Sequence, residues 1–168
     1  RPLIERAAPE IEQNRALSPD LLAALHDAGL FRLLLPRSVG GEEAQPATFV
    51  ATIEEIARAD ASTAWCVAQA SGCSLAGAYL DPNVAREIFG AGSVLAWGPF
   101  GPNPKAVAVD GGYRITGTWQ YASGSRHAGL HASGAAPASL KSAGRANSWN
   151  AVSADKGFPG SPNTCRLP

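Results

Sequence analysis

Near residue 90 the hydrophobic pattern of the chain changes period, and only a layout with helices and strands in succession accommodates that change. Before it, apolar residues recur at helical spacing. Leu3, Ile4, Ala7, Ala8 and Ile11 mark a first helix, which Pro9 is expected to kink or restart. Ser18-Pro19-Asp20 reads as an N-cap with proline at the first helical position, and Gly29 supplies the stop. The paired glycines of RSVGGEEAQP mark a loop before TFVATIEEIARAD, where Phe49, Val50, Ile53, Ile56 and Ala57 trace one apolar face. The stretch Ser62 to Leu80 is apolar nearly all round and rich in small residues, which predicts a helix buried among neighbours. Ile53, Ile56, Trp65, Val67 and Leu75 are therefore expected to be mostly buried. Asp81-Pro82-Asn83 caps a last short helix ending at Gly90.

Beyond that point SVLAW and KAVAV are short β-type runs, and Asp110-Gly111-Gly112 stands between two β-prone segments as a hairpin signal. The expected fold class is α+β: an all-α N-terminal domain over 1–92, an incomplete antiparallel β-domain over 93–129, and an irregular tail over 130–168. The tail is dominated by Ala, Ser, Gly, Pro and Asn, and no window in it supports a buried face. Its character is that of GC-rich coding DNA read in a shifted frame, which points to a frameshifted or truncated gene product; a divergent tail is the rival origin.

Composition narrows the function classes. Fourteen basic residues balance fourteen acidic ones, so no net field draws nucleic acid, an anionic membrane or a highly charged substrate. The Ser62–Leu80 segment, with its small residues and central Gln69, is too weakly apolar for the roughly 20 residues of a membrane span. The amphipathic, charged N-terminus lacks the form of a secretory signal. Cys66, Cys73 and Cys165 show no metal-ligand spacing, and the first two stand too far apart on one helix for a disulfide, roughly 10 Å at 1.5 Å per residue. Reduced thiols in a cytoplasmic protein are expected, with both helical cysteines acting as small buried hydrophobes.

Three stretches in order resemble the acyl-CoA dehydrogenase superfamily. LHDAGLFRLLLPRSVGGEEAQPATFVATIEEIARADASTAWC is similar to its N-terminal helical domain, with an "AGL" turn, a "P…GG" loop and a helix carrying "EE(L/I)ARAD.S.AW". VDGGYRITGTWQYASGSRHA is similar to the hairpin of its middle β-domain, and SVLAW lies between the two. The resemblance covers residues 1 to 129. Classical members oxidise the Cα–Cβ bond of an acyl-CoA thioester and usually carry "G.K.W.TN" in this hairpin. Here Gly117 to Gly124 reads GTWQYASG, more similar to two-component aromatic hydroxylases that take reduced flavin from a partner reductase and use dioxygen. The resemblance therefore implies a reduced-flavin monooxygenase for an aromatic substrate, with an FAD-dependent acyl-CoA dehydrogenase and a non-catalytic helical fragment as alternatives. It further implies FAD or FMN as cofactor, a flavin reductase as partner and a homotetramer. The family's C-terminal bundle, which carries the base and much of the flavin site, has no counterpart in the sequence, so the catalytic base is unassigned and the chain is not expected to retain flavin.

Aligned on Gly117, Tyr121 falls where the family sets an aromatic against the isoalloxazine, and Ser123 falls at the hydroxyl position near flavin N5. A ring face excludes water there, and a hydroxyl suits both redox states because it can donate or accept. Taken alone, Trp119 and Tyr121 are alternate residues on one strand face filling a sheet core. Trp97 and Gly98 lead into GPFGPNP, where the dehydrogenases carry "TEP..GSD"; that motif is missing here, which counts against acyl-CoA, while backbone contact to flavin from Trp97 and Gly98 remains a candidate. Arg126 and His127 could meet phosphate or substrate, but a partly exposed structural histidine is the simpler reading of His127, and His26 reads as a surface or packing residue.

Overall fold

The computed structural model describes residues 1–90, 95–98, 105–109, 112–116, 123–128, 130–133, 152–153 and 164–166. The first ninety residues form five helices: α1 (Pro2–Asn14), α2 (Pro19–Asp27), α3 (Pro46–Ala57), α4 (Ala61–Ser74) and α5 (Pro82–Phe89), with 3-10 turns at Leu30–Arg32, Arg37–Val39 and Leu75–Ala78. Helix starts conform to the expected chemistry. Proline occupies the first turn of α1, α2, α3 and α5, and the carboxylates of Asp60 and Asp81 accept from Thr63 N–H at 2.6 Å and Asn83 N–H at 2.9 Å. Ser18 stands at the N-cap of α2 as predicted but makes no side-chain cap bond. Gly29 ends α2 at φ 68. Pro9 neither breaks nor restarts α1, which runs unbroken as one helix past it. The lost N–H bond at a single position is outweighed because Ile4, Ala7 and Ile11, on one face either side of Pro9, are all buried together.

Two clusters hold the helices. The larger joins Ile4, Ala7 and Ile11 of α1 to Leu17, Leu21, Leu25, Phe31, Ile56, Ala64, Val67 and Ala70; the smaller joins Leu35 and Val39 to Ala85 and Phe89 of α5. Arg32 ties the second cluster together. Its guanidinium donates to the carbonyls of Val39, Gly40, Phe89 and Gly90, so one cation satisfies the C-terminal carbonyls of α5 and the loop over Leu35 at once.

Helix α4 departs from its expected burial. Thr63, Ala64, Val67, Ala70, Ser71 and Ser74 face inward, while Trp65 and Leu75 are 57% and 47% exposed and Tyr79 is turned outward after them at 90%. The inward face is the one with small residues because α4 packs closely against α3, the turn at Leu30–Arg32 and the strand β1 (Leu95–Gly98). Ser71 Oγ and Ser74 Oγ are satisfied by the carbonyls of Leu30 and Ser71. Thr63 Oγ1 is buried without a partner among the described residues. On α3, Ile56 is buried and Ile53 and Phe49 are half-buried, whereas Val50 and Ala57 are exposed, a narrower face than expected. Cys66 and Cys73 are half-buried, not fully so. No described helix is long and apolar enough to cross a membrane.

After residue 90 the described backbone forms strands and a turn at 123–127. The strand β2 (Lys105–Val109) pairs antiparallel with β3 (Gly112–Thr116) in a register that sets Val109 opposite Gly112; the residues of the predicted turn between them, Asp110 and Gly111, lie outside the described ones. Two further sets of pairings lie among the described residues. The β1 strand pairs in parallel with β4 (Leu130–Ser133), so the pairing is not purely antiparallel. The region from 130 onward also contributes strands: β4, then β5 (Val152–Ser153) against β4 and β6 (Thr164–Arg166) against β3. Strands of two to four residues are joined by backbone hydrogen bonds and are too short to leave an alternating side-chain pattern.

Candidate functional site

The site expected around Ser123 lies where a turn at 123–127 meets the helical region. The turn is closed by His127 N–H donating to the Gly124 carbonyl at 2.9 Å, with Gly124 at φ 79, a conformation glycine adopts without a Cβ clash. Long-range hydrogen bonds pin the turn down. Trp65 Nε1–H, on the outward face of α4, donates to Ser123 Oγ at 2.9 Å. The Leu17 amide, in the connector between α1 and α2, donates to His127 Nε2 at 3.0 Å, and Arg126 Nη1 donates to the Asn14 carbonyl at 3.4 Å. Between the turn, α4 and the connector lies a cleft of about 470 Å³, whose lining includes Glu12, Arg15, Ser62, Cys66, Ser123, Arg126 and His127. That volume falls in the range of roughly 300–1,000 Å³ typical of small-molecule sites.

The electrostatics assign roles within the cleft. Burial, and after it the neighbouring Arg126 charge, holds the His127 imidazole below its ordinary range. Its Nε2 lone pair is engaged by Leu17 N–H, so the neutral ring carries its proton on Nδ1 and serves as a structural acceptor. Burial first, and the Asp60 charge second, push the Cys66 thiol up, against a lowering contact from the Gly124 amide. A thiol held protonated is no nucleophile at neutral pH. Ser123 Oγ accepts from Trp65, and among the described residues its proton has no acceptor. His26, away from this cleft, packs on Phe31 with ring centroids 4.7 Å apart, the packing role expected of it.

Residues 3–80 match the model of the acyl-CoA dehydrogenase N-terminal domain. These residues belong to that domain family. Over the chain as a whole, the indole-3-acetate monooxygenase of Pseudomonas putida is 37% identical across 76% of this chain and 33% of its own length. The oxygenase subunit HsaA, a flavin-dependent monooxygenase of Rhodococcus jostii, is 31% identical across 76% of this chain and 34% of its own. In structure, XiaF from a Streptomyces species in complex with FADH2 and glycerol superposes with a TM-score of 0.73 at 28% identity, covering 82% of this chain and 35% of XiaF. The chain thus spans about a third of the length of the curated relatives that it matches.

Set on this acyl-CoA dehydrogenase-type domain, the residues expected from sequence distribute unevenly. Ser123 lies against α4, at the N-terminal half of the domain's most buried helix. Trp97 and Gly98 lie in β1, which also runs beside α4, opposite Ala132 and Ser133 of β4. Tyr121 and Trp119 lie outside the described residues. The residue that sequence reasoning missed is Trp65. The phase of α4 could have found it: with Thr63, Val67, Ala70 and Ser74 on the inner face, a helix of 3.6 residues per turn turns position 65 outward.

Proposed function

We propose that this chain is part of the oxygenase component of a two-component, reduced-flavin monooxygenase acting on an aromatic substrate, with Ser123 at flavin N5. The observation that carries the reading is the turn bearing Ser123, held by its hydroxyl against α4 of an acyl-CoA dehydrogenase-type domain, in a chain whose relatives across 76% of its length are named as flavin-dependent or indole-3-acetate monooxygenases. The donor set fits a flavin. The Ser123 hydroxyl faces a cleft of ligand size, and the imidazole beside it is neutral. Arg15 and Arg126 line the same cleft and suit an anionic group on the ligand. When bound, reduced flavin supplies the activation of dioxygen. The chain's own residues orient and exclude water: Ser123 presents its O–H, Tyr121 would cover a ring face, and Trp97 and Gly98 would contribute backbone from β1.

Residues 93–129 are then the start of the family's middle β-domain. A flavin reductase would supply the cofactor, a homotetramer would be the assembly, and the cytoplasm the compartment. The test is to read the coding DNA past codon 129 in all frames, assemble any continuation that resembles the β-domain and C-terminal bundle, and supply the product with reduced flavin, labelled dioxygen and a panel of phenols and indoles. Incorporation of one labelled oxygen into an aromatic product is the expected result. Oxidation of an acyl-CoA without oxygen incorporation would overturn it.

A further inference from the structure

We propose that Trp65 is a positioning residue for Ser123: its indole N–H takes one acceptor site on Oγ and thereby directs the hydroxyl proton towards the flavin. The inference rests on the reading of Ser123 as the N5 contact. An indole nitrogen can only donate, so the polarity of the 2.9 Å bond is fixed and Ser123 is its acceptor. With one lone pair engaged, the serine proton occupies one of the remaining staggered positions about Cβ–Oγ, pointing away from Trp65. The hydroxyl keeps its proton and one lone pair for a ligand, and Trp65 restricts the directions in which both can point.

Trp65 is well suited to this because its own place is set from behind. The Asp60 cap fixes the start of α4, and the fully buried Thr63 and Val67 on the opposite side fix its rotation. The indole is more than half exposed, so it does little for the helical core. The loop side is equally constrained. The Gly124 turn and the Leu17 to His127 bond prevent Ser123 from tracking a rotating partner. The link between α4 and Ser123 is one hydrogen bond joining residues 58 positions apart.

The experiment uses the whole chain, labelled with ¹⁵N at the tryptophan indoles. Trp65→Phe, at an exposed position, identifies the Trp65 resonance by its disappearance. In Ser123→Ala that resonance is expected to move, and its exchange with water to quicken about fivefold, the factor that corresponds to one net neutral hydrogen bond. An unmoved resonance with unchanged exchange overturns the proposal outright. Oxidised FMN is then added in large excess. The expected result is a shift of the Trp65 resonance in the wild-type chain, and a change in the flavin visible band that W65F and S123A abolish to the same extent, singly or combined. A merely structural tryptophan would not give that non-additivity. If the link to Ser123 holds but FMN leaves the resonance in place, or the band is the same in wild type and S123A, the reading of Ser123 as a flavin contact falls and the positioning role falls with it.

Discussion

Replacing Gly41 by alanine should cost this protein more than a methyl group added at any other described glycine. An added Cβ would stand 1.9 Å from the Leu35 carbonyl oxygen, 2.3 Å from its carbon and 2.5 Å from its Cβ. Leu35 is wholly buried in the cluster with Phe89 and Val39, so its backbone has nowhere to retreat. The chain at Gly41 must lift instead, and three backbone bonds go with it: Gly41 to Pro36, Glu42 to Arg32 and Glu43 to Leu35, each 3.0 Å. At roughly 0.5–1.5 kcal/mol net apiece, their loss amounts to about 1.5–4.5 kcal/mol. For a domain of this size that lowers the melting temperature by roughly 10–20 °C. The assay is urea unfolding monitored by circular dichroism, with Gly72→Ala as the matched control. Gly72 lies inside α4 with no atom within 4 Å of its added Cβ, so alanine there should stabilise by about 0.5–1 kcal/mol. A Gly41→Ala protein within about 0.5 kcal/mol of wild type would refute the steric argument.

Thr63→Val removes a buried hydroxyl that has no partner among the described residues and should leave stability unchanged or raise it by about 1 kcal/mol, read from the urea midpoint; a loss of that size would show that the oxygen is bonded. His127 has a folded-state pKa below its ordinary 6.5, so the stability it contributes is complete above that value and is lost as the pH falls through the lowered one. Urea midpoints of wild type and His127→Gln, compared at about pH 7.5 and about pH 5, should converge on acidification, and a gap that widens would contradict the neutral-acceptor role. The purified chain should not hold flavin through desalting, since the turn at Ser123 supplies one wall where a ligand pocket buries most of its guest; stoichiometric visible absorbance afterwards would show a complete site. The outward Trp65, Leu75 and Tyr79 should make the same chain self-associate, which sedimentation can detect, and Leu75→Lys with Tyr79→Lys should relieve it.

How far the sequence disclosed this molecule depended on whether each signal was local. Helix starts at Pro19 and Pro82 and the stop at Gly29 were legible because proline and glycine act on their own φ angles, whereas Pro46, read as the end of a loop, is the first residue of α3. Continuity through Pro9 was not, since it depends on what α1 packs against. Hydrophobicity misdirected the reading of α4: Trp65 and Leu75 are among the largest apolar residues of that segment, yet Thr63, Ser71 and Ser74 take the interior, because close approach to neighbouring elements rewards small side chains. Ser123 emerged from a motif. Its pairing with Trp65 could not, because a bond between distant positions writes no spacing into the sequence. Tyr121 lies outside the described residues, and the flavin contacts of Trp97 and Gly98 rest on the resemblance.

Arg32 helps to fix where the helical region ends. The carbonyls of Phe89 and Gly90 are the last groups of that region, and both are moored to a guanidinium that enters the chain between α2 and α3. The point of departure at residue 90 is therefore set early in the chain, by the same side chain that holds down the loop over Leu35. Strain or relaxation in that loop is felt at the exit. One side chain from the connector between α2 and α3 thus moors both the close of α5 and the loop before α3, a shared pier for two segments far apart in sequence.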